Sequence, residues 1–240
     1  MGKKGNSEKE NKREVKESEK RKEESERKSQ NSERKNDLFE KINDRKFQIL
    51  CLHAINILEL KIKILQEEMM VEKSRSIISS LTHRIKSPDS IEKKLQKKKV
   101  EVSFQNAREK LNDIVGIRAT FFYEDDIYEM IERLCRQEDI TVKKRKDYMK
   151  KPKVNGYKSY HLIVEIPVYS ENGCSQCKVE IQFRTVAMDF WAQLDYQLCY
   201  KKEISGEKHK DVEEKLAMFA QDITRLDESF MGLRKEIEVI

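Results

Sequence analysis

The clearest chemical pattern in the sequence is an acid, an amide and a guanidinium at every second position. Glu180, Gln182 and Arg184 alternate with apolar residues over a short segment. In a β-strand this period of two places the three polar side chains on one face and the apolar ones on the other. The pattern predicts either a binding or catalytic face beside a core or an ordinary solvated face of an antiparallel sheet.

A carboxylate and an arginine accompany a second predicted strand, Ile114 to Tyr123, which is rich in β-branched and aromatic residues. A carboxylate at the mouth of such a strand suits Mg²⁺, which prefers one or two carboxylates with phosphate oxygens and water. Strict alternation places Asp113 and Arg118 on opposite faces, unless Asp113 precedes the strand or Gly116 permits a bulge. Alternatively, Asp113 only caps or ends the preceding helix.

Basic residues lead into a predicted helix start. Arg84 and Lys86 precede Ser87, a helix cap that is followed by proline at the first helical position. Ser90 and Lys94 lie one turn apart on a single face of that helix. Free backbone N–H groups, the positive helix end and lysines suit a polyphosphate. A solvated basic face, or nonspecific attraction to nucleic acid, gives the same pattern.

Hydrogen-bonding and aromatic residues follow an Asn155-Gly156 turn signal. Tyr157, Ser159 and His161 share one face if this segment is a strand, and a base can stack on the tyrosine ring. His161 taken alone is more often a structural histidine than a catalyst.

Together, these four segments resemble the synthetase domain of the bacterial alarmone synthetases, in particular the small, single-domain kind. The motifs stand in the family's order over residues 84–201. The resemblance implies transfer of the β,γ-diphosphate of ATP to the 3′-hydroxyl of GDP or GTP, with AMP and (p)ppGpp as products. Larger members also hydrolyse this product with a His-Asp motif. None of the four histidines here is followed by Asp, so hydrolase activity is not expected.

The resemblance implies roles on the donor side. Arg84 and Arg118 would sandwich the adenine. The ATP phosphates would be held by Lys86, Ser90 and Lys94.

For the metal and the acceptor, the resemblance implies that Asp113 binds Mg²⁺ and that Glu180 shares the metal or accepts the 3′-hydroxyl proton. Tyr157 would stack on guanine. The acceptor nucleotide would be surrounded by Lys146, Lys153, Asn155, Ser159, His161, Gln182 and Arg184. Two departures from the family stand out: Asp195-Tyr196 replaces the usual Glu-His, and Lys97 replaces an arginine.

The elements that must position these groups follow from periodicity. A long helix is predicted over most of 37–71, and a second helical stretch continues to about His83. Further helices are predicted from Ser87 to Lys99, over 104–112, over 127–136 and from 186 onward. Strands are predicted at 114–123, 140–147, 159–168 and 178–184. This order predicts an α+β fold with a single mixed sheet flanked by helices. The resemblance implies a nucleotidyltransferase-like synthetase fold.

The segment 205–238 carries an apolar seam with alternating spacings of four and three. Such a seam packs either on the body of its own chain or on another subunit. By resemblance to small family members we expect a homo-oligomer, a tetramer. The seam consists of Val212, Leu216, Phe219, Ile223, Leu226, Phe230, Leu233 and Ile237.

Charge and composition exclude several classes of protein. The net charge is +6, but residues 1–36 carry +4 of it, with 13 basic and 9 acidic side chains and almost no apolar ones. We expect this tail to be disordered and residues 37–240 to form one synthetase domain. No apolar stretch approaches the length of a membrane span, and five cysteines, an odd number, favour a reducing cytoplasm.

Two interpretations of other features remain open. Cys174 and Cys177 form a C-x-x-C pair without further ligand-like neighbours, which favours an incidental loop pair over a metal site. The alternative function is an RNA- or nucleic-acid-binding module that uses the basic helix and the tail. RNA or an alarmone is also a candidate regulator.

Overall fold

The computed structural model describes residues 30, 32–171, 173–199 and 207–238. The chain divides into two compact units, one containing the described residues up to Gln48 together with Ser87–Leu111, and the other containing Ile49–Lys86 and the described residues from Asn112 onward. Most of the predicted tail lies outside the described residues. A helix is already present at residues 32–36, before the predicted boundary at 37.

The first unit is helical. It contains α1 (32–43), the start of α2 (Arg45–Lys73), α3 (Pro88–Lys97) and α4 (Phe104–Lys110). Ser87 caps α3 as predicted, because its side chain accepts a hydrogen bond from the backbone of Ser90. The rings of Phe47 and Phe104 pack edge to face with centroids 5.2 Å apart. The buried apolar side chains of this unit are Leu38, Ile42, Ile91, Leu95, Ala107 and Leu111.

The single helix predicted over 37–71 is instead two helices that meet at Asp44. The Asp44 carboxylate accepts hydrogen bonds from the backbone N–H groups of Lys46 and Phe47 and so caps α2. The apolar period continues across the break, which is why the pattern did not reveal it. The buried residues of α2 recur at the three- and four-residue spacing of a helix face: Cys51, Ala54, Leu58, Ile62, Leu65 and Met69.

The second unit is built on one five-stranded sheet in the order β1-β2-β5-β4-β3. β2 and β5 run parallel, and all other neighbours are antiparallel. The predicted single mixed sheet flanked by helices is therefore confirmed. After α2 the elements are β1 (Ile78–Ile85), β2 (Val115–Phe121), α5 (Glu124–Cys135), β3 (Thr141–Asp147), β4 (Tyr160–Ser170), β5 (Gly173–Thr185), α6 (Val186–Cys199) and α7 (Glu207–Glu238).

The helix predicted to continue to about His83 is wrong, because Ile78–Ile85 forms the edge strand β1. α2 ends before Ser74, which has a φ of 51° and so leaves the helical conformation. The segment that follows is rich in isoleucine, serine and threonine, which lose side-chain freedom in a helix or compete for its backbone hydrogen bonds. β1 pairs along its length with β2.

The C-x-x-C pair lies on a strand and not in a loop. Cys174 and Cys177 both belong to β5, with Cys174 exposed and Cys177 buried. The two strands β4 and β5 are neighbours in the chain and pair up to Ser170 and Gly173, just before these cysteines. Asn172 lies outside the described residues.

Helix α7 packs on α6 with only part of its apolar seam. Trp191, Leu216 and Ala220 form a buried cluster, and the Trp191 indole N–H donates to the Leu216 carbonyl over 3.0 Å. Val212 and Ile223 pack against this cluster. The other five seam residues are 51–62% exposed: Phe219, Leu226, Phe230, Leu233 and Ile237. The seam thus contributes to packing within the chain and also presents an uncovered apolar face.

An ion-pair cluster fixes the far end of α7. Asp126 is fully buried and binds Lys73 and Arg75, each at 2.7 Å. Arg75 also binds Glu238, and Arg234 binds Asp125. None of the described helices is long and apolar enough to cross a membrane.

Candidate functional site

The register of three neighbouring strands collects the predicted polar residues on one face of the sheet. Gly116 of β2 lies between Arg84 of β1 and Glu180 of β5, and Arg118 is paired with Gln182. The Arg84 side chain passes over Gly116, where a Cβ would lie at an ordinary contact distance of 3.7 Å from Arg84 Cγ. The result is a cleft of about 190 Å³ lined by Thr82, His83, Arg84, Asp113, Gly116, Ile117, Arg118, Glu180 and Gln182.

Asp113 precedes β2, which begins two residues later at Val115; this is the first of the two arrangements predicted from the sequence. No bulge at Gly116 is needed, because the pairing of β2 with β5 is regular through it. The Asp113 side chain is 9% exposed and binds the Lys86 ammonium at 2.9 Å. The Lys86 backbone N–H also donates to the carbonyl of Ile114, the residue that follows Asp113.

Glu180 is buried beside two hydrogen-bonding partners. Gln182 donates to Oε2 of Glu180 over 2.9 Å, and Nδ1 of His161 lies 3.3 Å from Oε1. Burial acts to raise the pKa of Glu180, but the hydrogen bond and charge of His161, together with Gln182, outweigh it and lower this pKa below its ordinary value. The carboxylate is therefore ionised at neutral pH.

An aromatic group stands next to this carboxylate. The Tyr157 hydroxyl is 2.8 Å from Nε2 of His161 and accepts a hydrogen bond from Arg184. The Tyr157 ring contacts Trp191 edge to face. Lys153 lies 4.5 Å and the Arg184 guanidinium 5.2 Å from the centre of the same ring. A base that stacks on Tyr157 must therefore share or displace one of these cations.

The prediction that Tyr157, Ser159 and His161 share one strand face is wrong. β4 begins at Tyr160, so only His161 belongs to it. Residues 148–159 form the loop between β3 and β4, called the acceptor loop below. Ser159 is fully buried and donates to the Phe183 carbonyl over 3.0 Å, which fastens the end of this loop to β5. Its hydroxyl is thus engaged in the sheet.

The other predicted acceptor residues stand around the same loop. Asn155 accepts a hydrogen bond from the Tyr157 backbone, and Gly156 adopts a φ of +88°, which only glycine tolerates well. Lys153 is exposed, and Lys146 is paired with His161 across β3 and β4.

Of the residues predicted on the donor side, Ser90 and Lys94 lie on α3 in the first unit. Arg84, Lys86 and Arg118 lie in the second unit with the sheet.

The sequence interpretation missed Asp189. This carboxylate lies in the first turn of α6 and binds Arg184 at 2.8 Å and Arg118 at 3.3 Å. An available signal was its position five residues after Arg184, where a helix begins directly after a strand that carries an arginine on its polar face.

The geometry suits transfer of a phosphoryl-type group between two nucleotides. Two carboxylates, Asp113 and Glu180, face one cleft, and Arg84 and Arg118 line it. Lys86 is paired with Asp113. Such transfers depend mainly on positioning and on cations that neutralise developing charge. An aromatic platform beside the cleft adds a surface for a base.

Comparison with known proteins agrees with this geometry. Residues 83–205 match the family model described as the region found in RelA / SpoT proteins. The GTP pyrophosphokinase YwaC of Bacillus subtilis (strain 168) is 36% identical over 185 residues, 77% of this chain and 87% of that protein. The GTP pyrophosphokinase YjbM of the same strain is 34% identical over 185 residues, 77% of this chain and 85% of that protein.

A solved structure agrees over a similar length. Small alarmone synthetase 1 from Bacillus subtilis, bound to its product pppGpp, superposes with a TM-score of 0.71 and 32% identity over 80% of this chain and 96% of that one. The chain belongs to the RelA/SpoT family. Its resemblance to the small alarmone synthetases of that family is confirmed.

Proposed function

We propose that this protein is a GTP pyrophosphokinase. It transfers the β,γ-diphosphate of ATP to the 3′-hydroxyl of GDP or GTP. The new bond joins the 3′-oxygen to the β-phosphorus of ATP. The bond between this phosphorus and the oxygen that bridges it to the α-phosphorus breaks, and AMP leaves with that oxygen. The observation that carries the proposal is the buried, ionised Glu180 in a cleft bordered by Arg84, Arg118 and Asp113.

On the donor side, we assign Arg84 and Arg118 to the adenine and Lys86, with Ser90 and Lys94, to the ATP phosphates. The position of Arg84 and Arg118 along one cleft supports the first assignment. Lys86 is paired with Asp113, so it exchanges a carboxylate for phosphate oxygens when ATP binds.

Magnesium is the cofactor that fits this cleft. Asp113 and Glu180 are both nearly buried, and the charge of Asp113 acts to raise the pKa of Glu180, so the two carboxylates interact. A dication relieves that repulsion, and paired carboxylates are its usual protein ligands. When bound, Mg²⁺ neutralises charge on the transferred diphosphate.

As the alternative to sharing the metal, Glu180 is suited to accept the proton of the 3′-hydroxyl. Its lowered pKa keeps it ionised, and His161 and Gln182 fix both of its oxygens. General-base help of this kind is worth about 10²–10⁴-fold in rate. On the acceptor side, Tyr157 stacks on guanine, and the side chains that surround the nucleotide are Lys146, Lys153, Asn155, His161, Gln182 and Arg184; Ser159 supports the loop from inside the sheet.

We further propose a cytoplasmic homo-oligomer, a tetramer by resemblance. The cytoplasm supplies ATP and guanine nucleotides and keeps exposed Cys174 reduced. The uncovered seam of α7 supports self-association.

The direct test is turnover by the full chain. Purified protein with ATP, Mg²⁺ and GMP, GDP or GTP in turn should release AMP and a 3′-pyrophosphorylated guanosine nucleotide, resolved by anion-exchange chromatography. Glu180→Gln should lower kcat by about 100-fold or more without changing the fold. Glu236→Gln, an exposed carboxylate on α7, is the matched control and should be as active as the wild type.

RNA binding by the same purified protein tests the nucleic-acid-binding alternative. Lys86, Arg118 and Arg184 are paired with carboxylates, and this favours a small, charged-nucleotide site over an open basic surface. An inactive protein whose RNA affinity falls steeply with salt, and is unchanged by Glu180→Gln, contradicts the pyrophosphokinase proposal.

A further inference from the structure

One carboxylate joins two arginines at the edge of the cleft. Oδ1 of Asp189 lies 2.8 Å from Nη1 of Arg184 and 3.3 Å from Nη1 of Arg118. Oδ2 accepts a hydrogen bond from Gln193 over 2.8 Å. The Asp189 side chain is 13% exposed, so solvent screens these contacts weakly.

The strands themselves force the two arginines together. Arg118 of β2 is paired with Gln182, and Arg184 follows two residues later on the same face of β5. Burial and the charge of Arg184 both lower the pKa of Arg118, and Asp189 opposes them. The Nε–H groups of both arginines are buried and have no acceptor in the part of the chain that the structure describes. Contacts at Nη therefore decide where each guanidinium points.

Asp189 is itself held in place from outside the cleft. The hydroxyl of Thr185 accepts a hydrogen bond from the Met188 backbone and so caps α6. The same hydroxyl donates to Asp227 of α7 over 2.6 Å. The first turn of a helix also stabilises a carboxylate through the helix dipole. The anchor for the arginines is thus independent of any bound nucleotide.

From Asp189 the contacts lead to both sides of the cleft. Arg184 continues to the Tyr157 hydroxyl and to Oε1 of Gln182, on the acceptor side. Arg118 lines the cleft on the side assigned to ATP. Its contact with Asp189 is the longer of the two, so Arg118 is the arginine that turns more readily toward a ligand.

We propose that Asp189 is a positioning residue that sets the orientation of Arg118 and Arg184 with a single carboxylate, and so aligns the donor and acceptor nucleotides with each other. The proposal rests on the proposed function, because it assigns Arg118 to ATP and Arg184 to the acceptor.

The test is a double-mutant cycle. Asp189→Asn keeps the shape and removes the charge, and should lower kcat/KM by about tenfold or more for ATP and for the acceptor alike. Arg118→Ala should then cost far less in the Asp189→Asn background than in the wild type, and the same non-additivity should hold for Arg184→Ala. Asp211→Asn, an exposed carboxylate on α7, is the matched control and should leave kcat/KM unchanged.

Two further measurements separate positioning from stability. Asp189→Glu restores the charge and should recover part of the lost kcat/KM, whereas a purely structural role predicts no recovery at equal thermal stability. Binding of a non-hydrolysable ATP analogue, measured by calorimetry, reads the Arg118 contact without turnover. If the wild type is active and the losses in kcat/KM simply add in both double-mutant cycles, this proposal alone is overturned. A folded wild type that forms no AMP overturns the proposed function instead.

Discussion

Nδ1 of His161 lies 3.3 Å from Oε1 of Glu180, so the ring and the carboxylate form a coupled pair beside the cleft. Burial alone raises the pKa of Glu180, and the hydrogen bond and charge of His161 are the largest influences that lower it. His161 therefore has an electrostatic task whether or not it touches a nucleotide.

Replacing His161 should move the acid limb of the pH–rate profile. In the wild type, the pKa of Glu180 lies below the ordinary pKa of a glutamate, so activity falls only as the pH drops through that lowered pKa. In His161→Ala the burial of Glu180 and the nearby charge of Asp113 remain, so the pKa rises and the acid limb shifts to higher pH. The measurement is kcat/KM between about pH 4 and pH 8. His53→Ala, an exposed histidine on α2, should leave the limb in place.

The acceptor loop should be sensitive to one added methyl group. Gly156 has a φ of +88°, and a Cβ built there lies 2.4 Å from the Cβ of Ala220 on α7. Gly156→Ala should push the loop from α7, raise the acceptor KM several-fold and leave the KM for ATP nearly unchanged. Steady-state kinetics with each substrate varied in turn checks this.

Gly232 supplies the matched control for that substitution. It lies on α7 with open space around it, so Gly232→Ala should stabilise the helix by up to about 1 kcal/mol. Equal acceptor KM values for Gly156→Ala and Gly232→Ala are the result that contradicts the contact with Ala220.

The ion-pair cluster at the end of α7 should be a large contributor to stability. Asp126→Asn leaves Lys73 and Arg75 without their shared, fully buried carboxylate, and should lower the free energy of unfolding by about 3 kcal/mol. Urea denaturation at fixed protein concentration measures it. Asp139→Asn breaks an exposed pair with Lys61 and should cost less than about 1 kcal/mol. Similar losses for the two variants would show that burial is not what makes the Asp126 cluster important.

The exposed part of the seam should hold subunits together. Phe219 and Leu226 are 54% and 55% exposed, so replacing both with Asp should not disturb packing within the chain. Sedimentation velocity should show a shift toward monomers. Val71→Asp, which changes an 82% exposed apolar residue on α2, should leave the assembly unchanged. An unaltered oligomer in the Phe219 and Leu226 variant assigns subunit contact to another surface.

Much of the sheet could be predicted from local patterns. The alternation around Glu180 and the β-branched segment after Asp113 correspond to β5 and β2. β1 was missed because its serines and isoleucines carry no alternation, and pairing with β2 decides its conformation. Asp44 was missed because the apolar period runs through the helix break that it caps.

The residues of the site could be predicted only where their chemistry is visible in a short segment of sequence. Residue types with evident chemistry, such as Glu180 and Arg118, were found on sequence alone. The burial of Ser159 and the bridge at Asp189 depend on where distant segments meet, which no short pattern records. Their detection required the packing of β4, β5 and α6.

Helix α7 contacts the loop of Gly156 with one face and leaves its apolar seam uncovered on another. A helix with its side chains is only about 10–12 Å across. If subunits meet on the seam, each neighbour is one helix diameter from the acceptor loop. In such an assembly, a small rotation or displacement of α7 alone would be enough to couple one active site to the next.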